Sequence, residues 1–145
     1  MHDLRSSLSS EQREAIRYER LALAFSRACM SNAKWRRLFT CFGEISPGVF
    51  ISEWKHIDSN HVTVHERLPT QNDIGVAGRY FRDGPFQPYE FKWIEWIYFP
   101  TKYFDKSYRR TITQDLSAIV QSLDKCGGVD FEQDAEGLRL YGYKH

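Results

Sequence analysis

The sequence predicts an α+β domain in which an antiparallel meander sheet of about five to six strands has helices packed mainly on one face. Three observations predict this class. Apolar residues recur at helical spacing near the N-terminus and again after Thr113, and between Pro47 and Phe99 they alternate with a period of two. Short turn-forming segments, instead of long crossovers, separate the alternating stretches. With 145 residues, 41% of them hydrophobic and 27% charged, the chain suits one globular domain.

The first predicted helix covers about residues 10–29. Ser9 and Gln12 form a capping box ahead of it. A single apolar stripe follows, made of Tyr18, Leu21, Ala22, Phe25, Ala28 and Cys29. We expect residues 1–145 to form a single domain, because no repeat or Pro/Gly/Ser-rich linker divides the chain. Residues 1–29 can also be read as an N-terminal extension of that domain.

Two further helices are predicted from the same spacing. The second begins after Ser31 or Asn32, either of which can cap it, and ends at Gly43. Its apolar stripe is Trp35, Leu38, Phe39 and Phe42. The third is capped by Thr113 and ends at Gly127-Gly128. Its stripe is Leu116, Ile119, Val120 and Leu123.

The remaining elements are strands. Stretches rich in β-branched and aromatic residues predict four strands, at Val49–Ile57, His61–Arg67, Ile74–Arg82 and Tyr89–Phe99. Asp58-Ser59-Asn60 and Asp83-Gly84 provide turns between them, which favours hairpins. A last hairpin is expected from Val129–Gln133 and Leu138–Tyr143.

Charge and cysteine content exclude several classes of protein. Twenty Lys and Arg against nineteen Asp and Glu leave a net charge of +1, which argues against a nucleic-acid partner or an anionic membrane. The longest apolar run, Leu21–Phe25, is far shorter than the roughly 20 residues that span a bilayer. Charged residues throughout the first thirty positions do not fit a secretory signal, so we expect a cytoplasmic protein with three reduced cysteines and no cofactor.

Three histidines form a candidate metal site. If Ser59-Asn60 is a two-residue turn, His56, His61 and His65 share one face of a hairpin, and imidazole is a common ligand for zinc, copper and nickel. A three-residue turn would move His56 to the opposite face. The alternative is that these are ordinary strand histidines.

Glu95 is a candidate catalytic residue. It lies in the strand Tyr89–Phe99, where both faces are apolar. An unpaired buried carboxyl group has a raised pKa, which suits a general acid or base. A structural ion pair with Lys92 or with an arginine of the second helix explains the same residue, and so does a more exposed position.

Residues 101–110 are a candidate binding segment for single-stranded nucleic acid, as an alternative function. This segment carries a net charge of +3 with three interleaved aromatic residues, a composition that suits binding of single strands. A loop whose rings anchor it to the sheet explains the same composition.

The surplus of aromatic residues is the strongest functional indication. Aromatic residues make up 15% of the chain. Tyr, Trp and Arg are enriched at the centres of protein interfaces, so we expect a non-enzymatic domain that binds a protein partner, or a second copy of itself, through an aromatic sheet surface. The expected anchors are Trp93, Trp96, Tyr98, Tyr141 and Tyr143, with Arg109 and Arg110 at the rim. The alternatives are that helices cover the sheet completely, or that the protein is an enzyme using the histidines or Glu95.

Three segments resemble a family of small uncharacterised bacterial proteins. They are Lys34–Phe39, Phe91–Ile97 and Gly137–Tyr143, and the likeness extends over about residues 30–145. Such proteins look like the single-domain immunity proteins that accompany bacterial toxins. The resemblance therefore implies a toxin-neutralising role, supplies no catalytic residues and raises Met30 as an alternative start.

Overall fold

The computed structural model describes residues 8–45, 48–87 and 89–145. Within these ranges the helices are α1 (Ser10–Ala22), α2 (Asn32–Phe42) and α3 (Ser117–Cys126). The strands are β1 (Arg27–Ala28), β2 (Ser52–His56), β3 (Val62–His65), β4 (Ile94–Pro100), β5 (Lys102–Asp105), β6 (Arg110–Thr113), β7 (Phe131–Gln133), β8 (Gly137–Tyr141) and β9 (Tyr143–Lys144).

The main sheet has five antiparallel strands in the order β3-β2-β4-β8-β7. The α+β class, the antiparallel sheet and the packing of helices against it are therefore confirmed. The strand order differs from a simple meander, because the hairpins β2–β3 and β7–β8 lie on either side of β4. β4 is the longest strand and most of its residues are buried, which suits the centre of the sheet. Strands β1 and β9 form a small second sheet, and β5 and β6 form a third.

One face of the main sheet is covered by α2 and α3. Phe39 of α2 is fully buried, and the centre of its ring lies 5.1 Å from that of Phe81 and 5.4 Å from that of Phe91. Ile119 of α3 and Ile97 of β4 are also fully buried in this cluster. Burial of an aromatic side chain of this kind contributes roughly 1.5–3 kcal/mol relative to leaving it in water.

The predicted ends of α2 are confirmed, and α1 is shorter than predicted. The Ser31 hydroxyl accepts a hydrogen bond from the N–H of Lys34, and α2 ends at Gly43. The Ser9–Gln12 capping box is present at the start of α1. However, α1 ends at Ala22, because residues 27–28 pair with β9 instead of continuing the helix.

Three sequence predictions about the middle of the chain are wrong. Ile74–Arg82 is not a strand: it has an isolated bridge between Ile74 and Phe81, and Gly78 turns the chain with a φ of +70°. The strand predicted from Tyr89 begins only at Ile94, after a short 3-10 turn. Thr113 does not cap α3, since it ends β6, and the helix begins four residues later, at Ser117.

Candidate functional site

The second face of the main sheet carries the aromatic side chains that point away from α2 and α3. We call this surface the outer face; it consists of Glu53, Lys55, Val62, Val64, Trp96, Tyr98, Arg139 and Tyr141. Alternation along each strand positions these residues, because every second side chain of β2, β4 and β8 is buried against the helices. Cross-strand pairing then brings Trp96 opposite Tyr141 and Tyr98 opposite Arg139.

The guanidinium of Arg139 lies over two of these rings. Its guanidinium carbon is 4.3 Å from the centre of the Trp96 ring and 5.3 Å from that of the Tyr98 ring. Within the described residues it forms no ion pair, and its buried Nε atom has no hydrogen-bond partner. A stacked guanidinium without a carboxylate partner keeps donors available for an acceptor on another molecule.

Tyr141 is fixed by polar contacts on the other side of Arg139. Its hydroxyl donates to Glu132 Oε2 at 3.1 Å, and Lys144 Nζ lies 4.8 Å from its ring centre. Burial and then the Glu132 carboxylate raise the pKa of Tyr141, which keeps its hydroxyl protonated. The ring is half-buried, so part of it faces solvent.

A groove joins the outer face to the β5–β6 hairpin. It has a volume of about 460 Å³ and is lined by Glu53, Tyr98, Lys102 and Glu136, among others. Burial, followed by the nearby carboxylates of Asp134 and Glu136, raises the pKa of Tyr98. The groove therefore has an aromatic wall and carries charges of both signs.

The five predicted aromatic anchors fall into two groups. Trp96, Tyr98 and Tyr141 are half-buried on the outer face. Trp93 and Tyr143 are only 5% and 6% exposed, because they belong with Ile57 to a second apolar cluster.

Helix α1 packs against this second cluster. The Tyr18 ring centre lies 5.6 Å from that of Trp93, and its hydroxyl is hydrogen-bonded to that of Tyr143. Burial, reinforced by Tyr18, raises the pKa of Tyr143 well above its usual range. Trp93 and Tyr143 are thus not accessible while α1 is in place.

The rim arginines and the basic segment lie on an exposed hairpin. Residues 101–110 contain strand β5 and the first residue of β6, two strands that the sequence did not predict. Arg109 lies in the turn between them with a φ of +50°. Phe104 is 54% exposed and Tyr108 is 73% exposed. Arg110 stacks on Tyr108, with its guanidinium carbon 5.3 Å from the ring centre. Phe104, Tyr108 and the basic side chains of this hairpin are therefore open to solvent, whereas Tyr103 is half-buried.

The three histidines do not come together. Trp54 pairs with Thr63, which shifts the hairpin by two residues from the expected register and leaves His56 and His65 on the same, inward side. The His56 ring centre lies 4.7 Å from that of Tyr89, and the His65 ring centre lies 4.6 Å from that of Phe86, both in tilted contacts. His61 is exposed. The described part of the chain holds no group of three His, Cys, Asp or Glu residues arranged to bind a metal ion.

Burial of the two inward histidines lowers their pKa values. The pKa of His65 falls to about 4, mainly through burial and then through the positive forms of His56 and Arg67. Burial also lowers the pKa of His56, and its Nε2 atom has no hydrogen-bond partner among the residues that the structure describes. Both rings are therefore neutral members of the aromatic cluster at neutral pH.

Glu95 forms an ion pair with a different partner from those expected. Its side chain is largely buried, and its Oε1 atom accepts a hydrogen bond from Lys55 Nζ at 2.7 Å. Lys55 also donates to the His56 carbonyl oxygen at 3.2 Å. This pairing favours a structural role for Glu95.

Sequence reasoning missed two arrangements that depend on tertiary contacts. The stacking of Arg139 on Trp96 could have been found only from the β4–β8 register. Cys41 and Cys126, which are 85 residues apart, lie together with their Sγ atoms 3.7 Å apart.

Comparison with protein-family models, with curated proteins and with solved structures found no match. Across residues 8–45, 48–87 and 89–145, no helix combines the length and the apolar character needed to cross a bilayer.

Proposed function

We propose that this protein is a non-enzymatic binding domain that docks a partner protein through its outer face. The main support for the proposal is the group formed by Trp96, Tyr98, Tyr141 and Arg139. Its guanidinium forms no ion pair with any described residue and lies over two half-buried rings. Tyr, Trp and Arg are the residues that contribute most to the centres of protein interfaces. Stacking also fixes the Arg139 side chain before binding, which reduces the entropy lost on association.

The charges around this group support a protein partner over a polyanion. Lys55 is paired with Glu95, and Lys144 lies 3.7 Å from Glu132. Paired charges of both signs around an aromatic centre are typical of a polar interface rim. The exposed Val62 and Val64 extend the apolar part of the outer face to the edge strand β3.

The resemblance to immunity proteins suggests a specific kind of partner, a bacterial toxin. In that case the outer face would cover or distort the toxin, and the chain itself needs no catalytic group. Growth of cells that express a toxin encoded next to this gene, with and without the chain, tests this form of the proposal. Restored growth that is lost with Trp96→Ala supports it, and growth arrest despite the chain contradicts it.

Site-specific photocrosslinking in cells tests the docking surface itself. A photoreactive phenylalanine derivative at Tyr98 or Tyr141 is expected to capture one discrete species, and the same group at the exposed Gln121 of α3 is the matched control. A product of twice the chain mass would identify the partner as a second copy, and any other discrete mass would identify a different protein. Equal labelling from all three positions, or none from the outer face, would refute the proposal.

The β5–β6 hairpin favours a second candidate function, binding of single-stranded nucleic acid. Its exposed Phe104 and Tyr108 can stack on bases, while Lys106, Arg109 and Arg110 can contact phosphates. Fluorescence anisotropy with a labelled single-stranded oligonucleotide tests it: affinity should fall steeply with added salt and with Tyr108→Ala. The absence of binding at low ionic strength would exclude this function.

A further inference from the structure

The contact between Cys41 and Cys126 joins two helices that are distant in sequence. Cys41 is buried near the end of α2, and Cys126 is the half-buried last residue of α3. Their Sγ atoms are 3.7 Å apart, about 1.7 Å more than the length of a disulfide bond. Side-chain rotation at one or both cysteines would bring the two sulfur atoms into bonding distance.

A neighbouring ion pair holds the two helix ends together. Lys125 precedes Cys126, and its Nζ atom contacts Glu44 Oε2, which follows the end of α2. Beside this ion pair opens a groove of about 510 Å³, lined by Glu44, Ser122 and Lys125. The ion pair thus links the two helix ends that carry the thiols, and the groove lets a small molecule approach these helix ends.

We propose that Cys41 and Cys126 are a reversible oxidation site that closes to an intramolecular disulfide in the presence of a small-molecule disulfide such as oxidised glutathione. The proposal is independent of the docking function of the outer face. It assigns a covalent modification to two residues that lie on the helical layer of the fold, opposite that face.

The reaction has two exchange steps. Cys126 is the more accessible thiol, so it loses its proton and its Sγ attacks one sulfur of the small-molecule disulfide, releasing the other sulfur as a thiolate. Cys41 then loses its proton and attacks Cys126 Sγ, which breaks the mixed disulfide and releases the second thiolate. The released thiolates take up the two protons. Two protein thiols are oxidised to one disulfide, and one small disulfide is reduced to two thiols.

The surroundings of Cys41 predict how this reaction depends on pH. Burial, followed by its contact with Cys126, raises the pKa of the Cys41 thiol. Since the thiolate is the nucleophile, the closing step should become faster as the pH rises. The disulfide would also close a long loop of chain, which restricts the unfolded state and raises the thermal unfolding midpoint by roughly 5 °C or more.

Intact mass measurement after incubation with oxidised glutathione tests the proposal. The experiment uses the full chain with Cys29→Ser, which removes the third cysteine. The expected product has lost two hydrogens, shows a linked Cys41–Cys126 peptide on non-reducing digestion, and returns to the starting mass with dithiothreitol. With Cys41→Ser added, a stable glutathione adduct should accumulate on Cys126.

Three results would overturn the proposal. They are a persistent glutathione adduct in the chain that retains both cysteines, a disulfide between two chains, and no reaction of the folded chain at pH 8.5 under conditions where the unfolded chain reacts. Non-reducing digestion of the unaltered protein gives the same information if a cysteine variant fails to fold, because it reports the pairing directly.

Discussion

The buried His65 ring makes the stability of this protein dependent on pH in a defined direction. His65 packs between Trp54 and Phe86, with ring-centre distances of 5.2 and 4.6 Å. Its pKa is about 4 in the folded chain, against about 6.5 for an exposed histidine in the unfolded chain. Between these two values the unfolded chain takes up a proton that the folded chain does not. Stability is therefore fully present above pH 6.5 and is lost as the pH falls towards 4.

The size of this effect follows from the width of that pH interval. The difference between the two pKa values of His65 corresponds to at most roughly 3–4 kcal/mol of unfolding free energy. The ring is still partly exposed, and solvent screening reduces the figure to roughly 1–2 kcal/mol. Replacing His65 with Phe keeps an aromatic ring in the cluster and removes the titrating group.

Urea unfolding of the original protein and of His65→Phe, each at two pH values, measures this contribution. The original protein should lose roughly 1–2 kcal/mol more unfolding free energy than His65→Phe between about pH 7.5 and 4.5. Losses from carboxylate groups occur in both proteins and cancel in the comparison. An identical pH dependence of the two proteins would show that His65 is not buried as described.

Three further predictions concern the core, the buried ion pair and α1. Phe39→Ala should lower the unfolding free energy by about 3–5 kcal/mol in urea unfolding, because it empties the centre of the aromatic cluster. Phe104→Ala on the exposed hairpin is the control and should change the unfolding free energy by less than about 0.5 kcal/mol. Similar losses for both variants would contradict the assigned core. Glu95→Ala should lower the unfolding free energy by about 2 kcal/mol in the same assay, because it leaves the half-buried Lys55 without its partner. Adding Lys55→Met should recover part of that loss. Purely additive effects of the two substitutions would refute the pairing. Tyr18→Ala should raise amide hydrogen exchange in α1 while the exchange of β4 stays unchanged, since Tyr18 packs against the second cluster and Lys92. Unchanged exchange in α1 would contradict its mode of packing.

Local sequence signals predicted those parts of the fold that depend on local physics. The Ser31 cap and the stripe from Trp35 to Phe42 define α2 because a helix is stabilised by its own termini and by one apolar face. The stretch Ile74–Arg82 has a strand-like composition, yet the Gly75 N–H donates to the Tyr80 carbonyl oxygen and the segment turns back on itself. Composition alone could not distinguish this turn from a strand, because the two differ in which backbone hydrogen bonds form and not in the types of residue.

The candidate surface was only partly predictable, for a different reason. Alternation along the strands correctly separates Trp96 and Tyr98 from their buried neighbours on β4. It cannot show that Tyr18 of α1 lies on Trp93 and Tyr143, since that contact joins residues far apart in the chain. How deeply each aromatic ring is buried therefore depends on tertiary packing, which the sequence pattern does not reveal.

The equilibrium affinity of the Trp96→Ala variant for the crosslinked partner tests the docking surface most directly. Loss of a central interface tryptophan should weaken binding by about 2 kcal/mol or more, which is roughly a thirtyfold increase in Kd, while the thermal unfolding midpoint stays close to that of the original protein. An unchanged Kd with Trp96→Ala would contradict the assignment of the outer face as the surface that meets the partner.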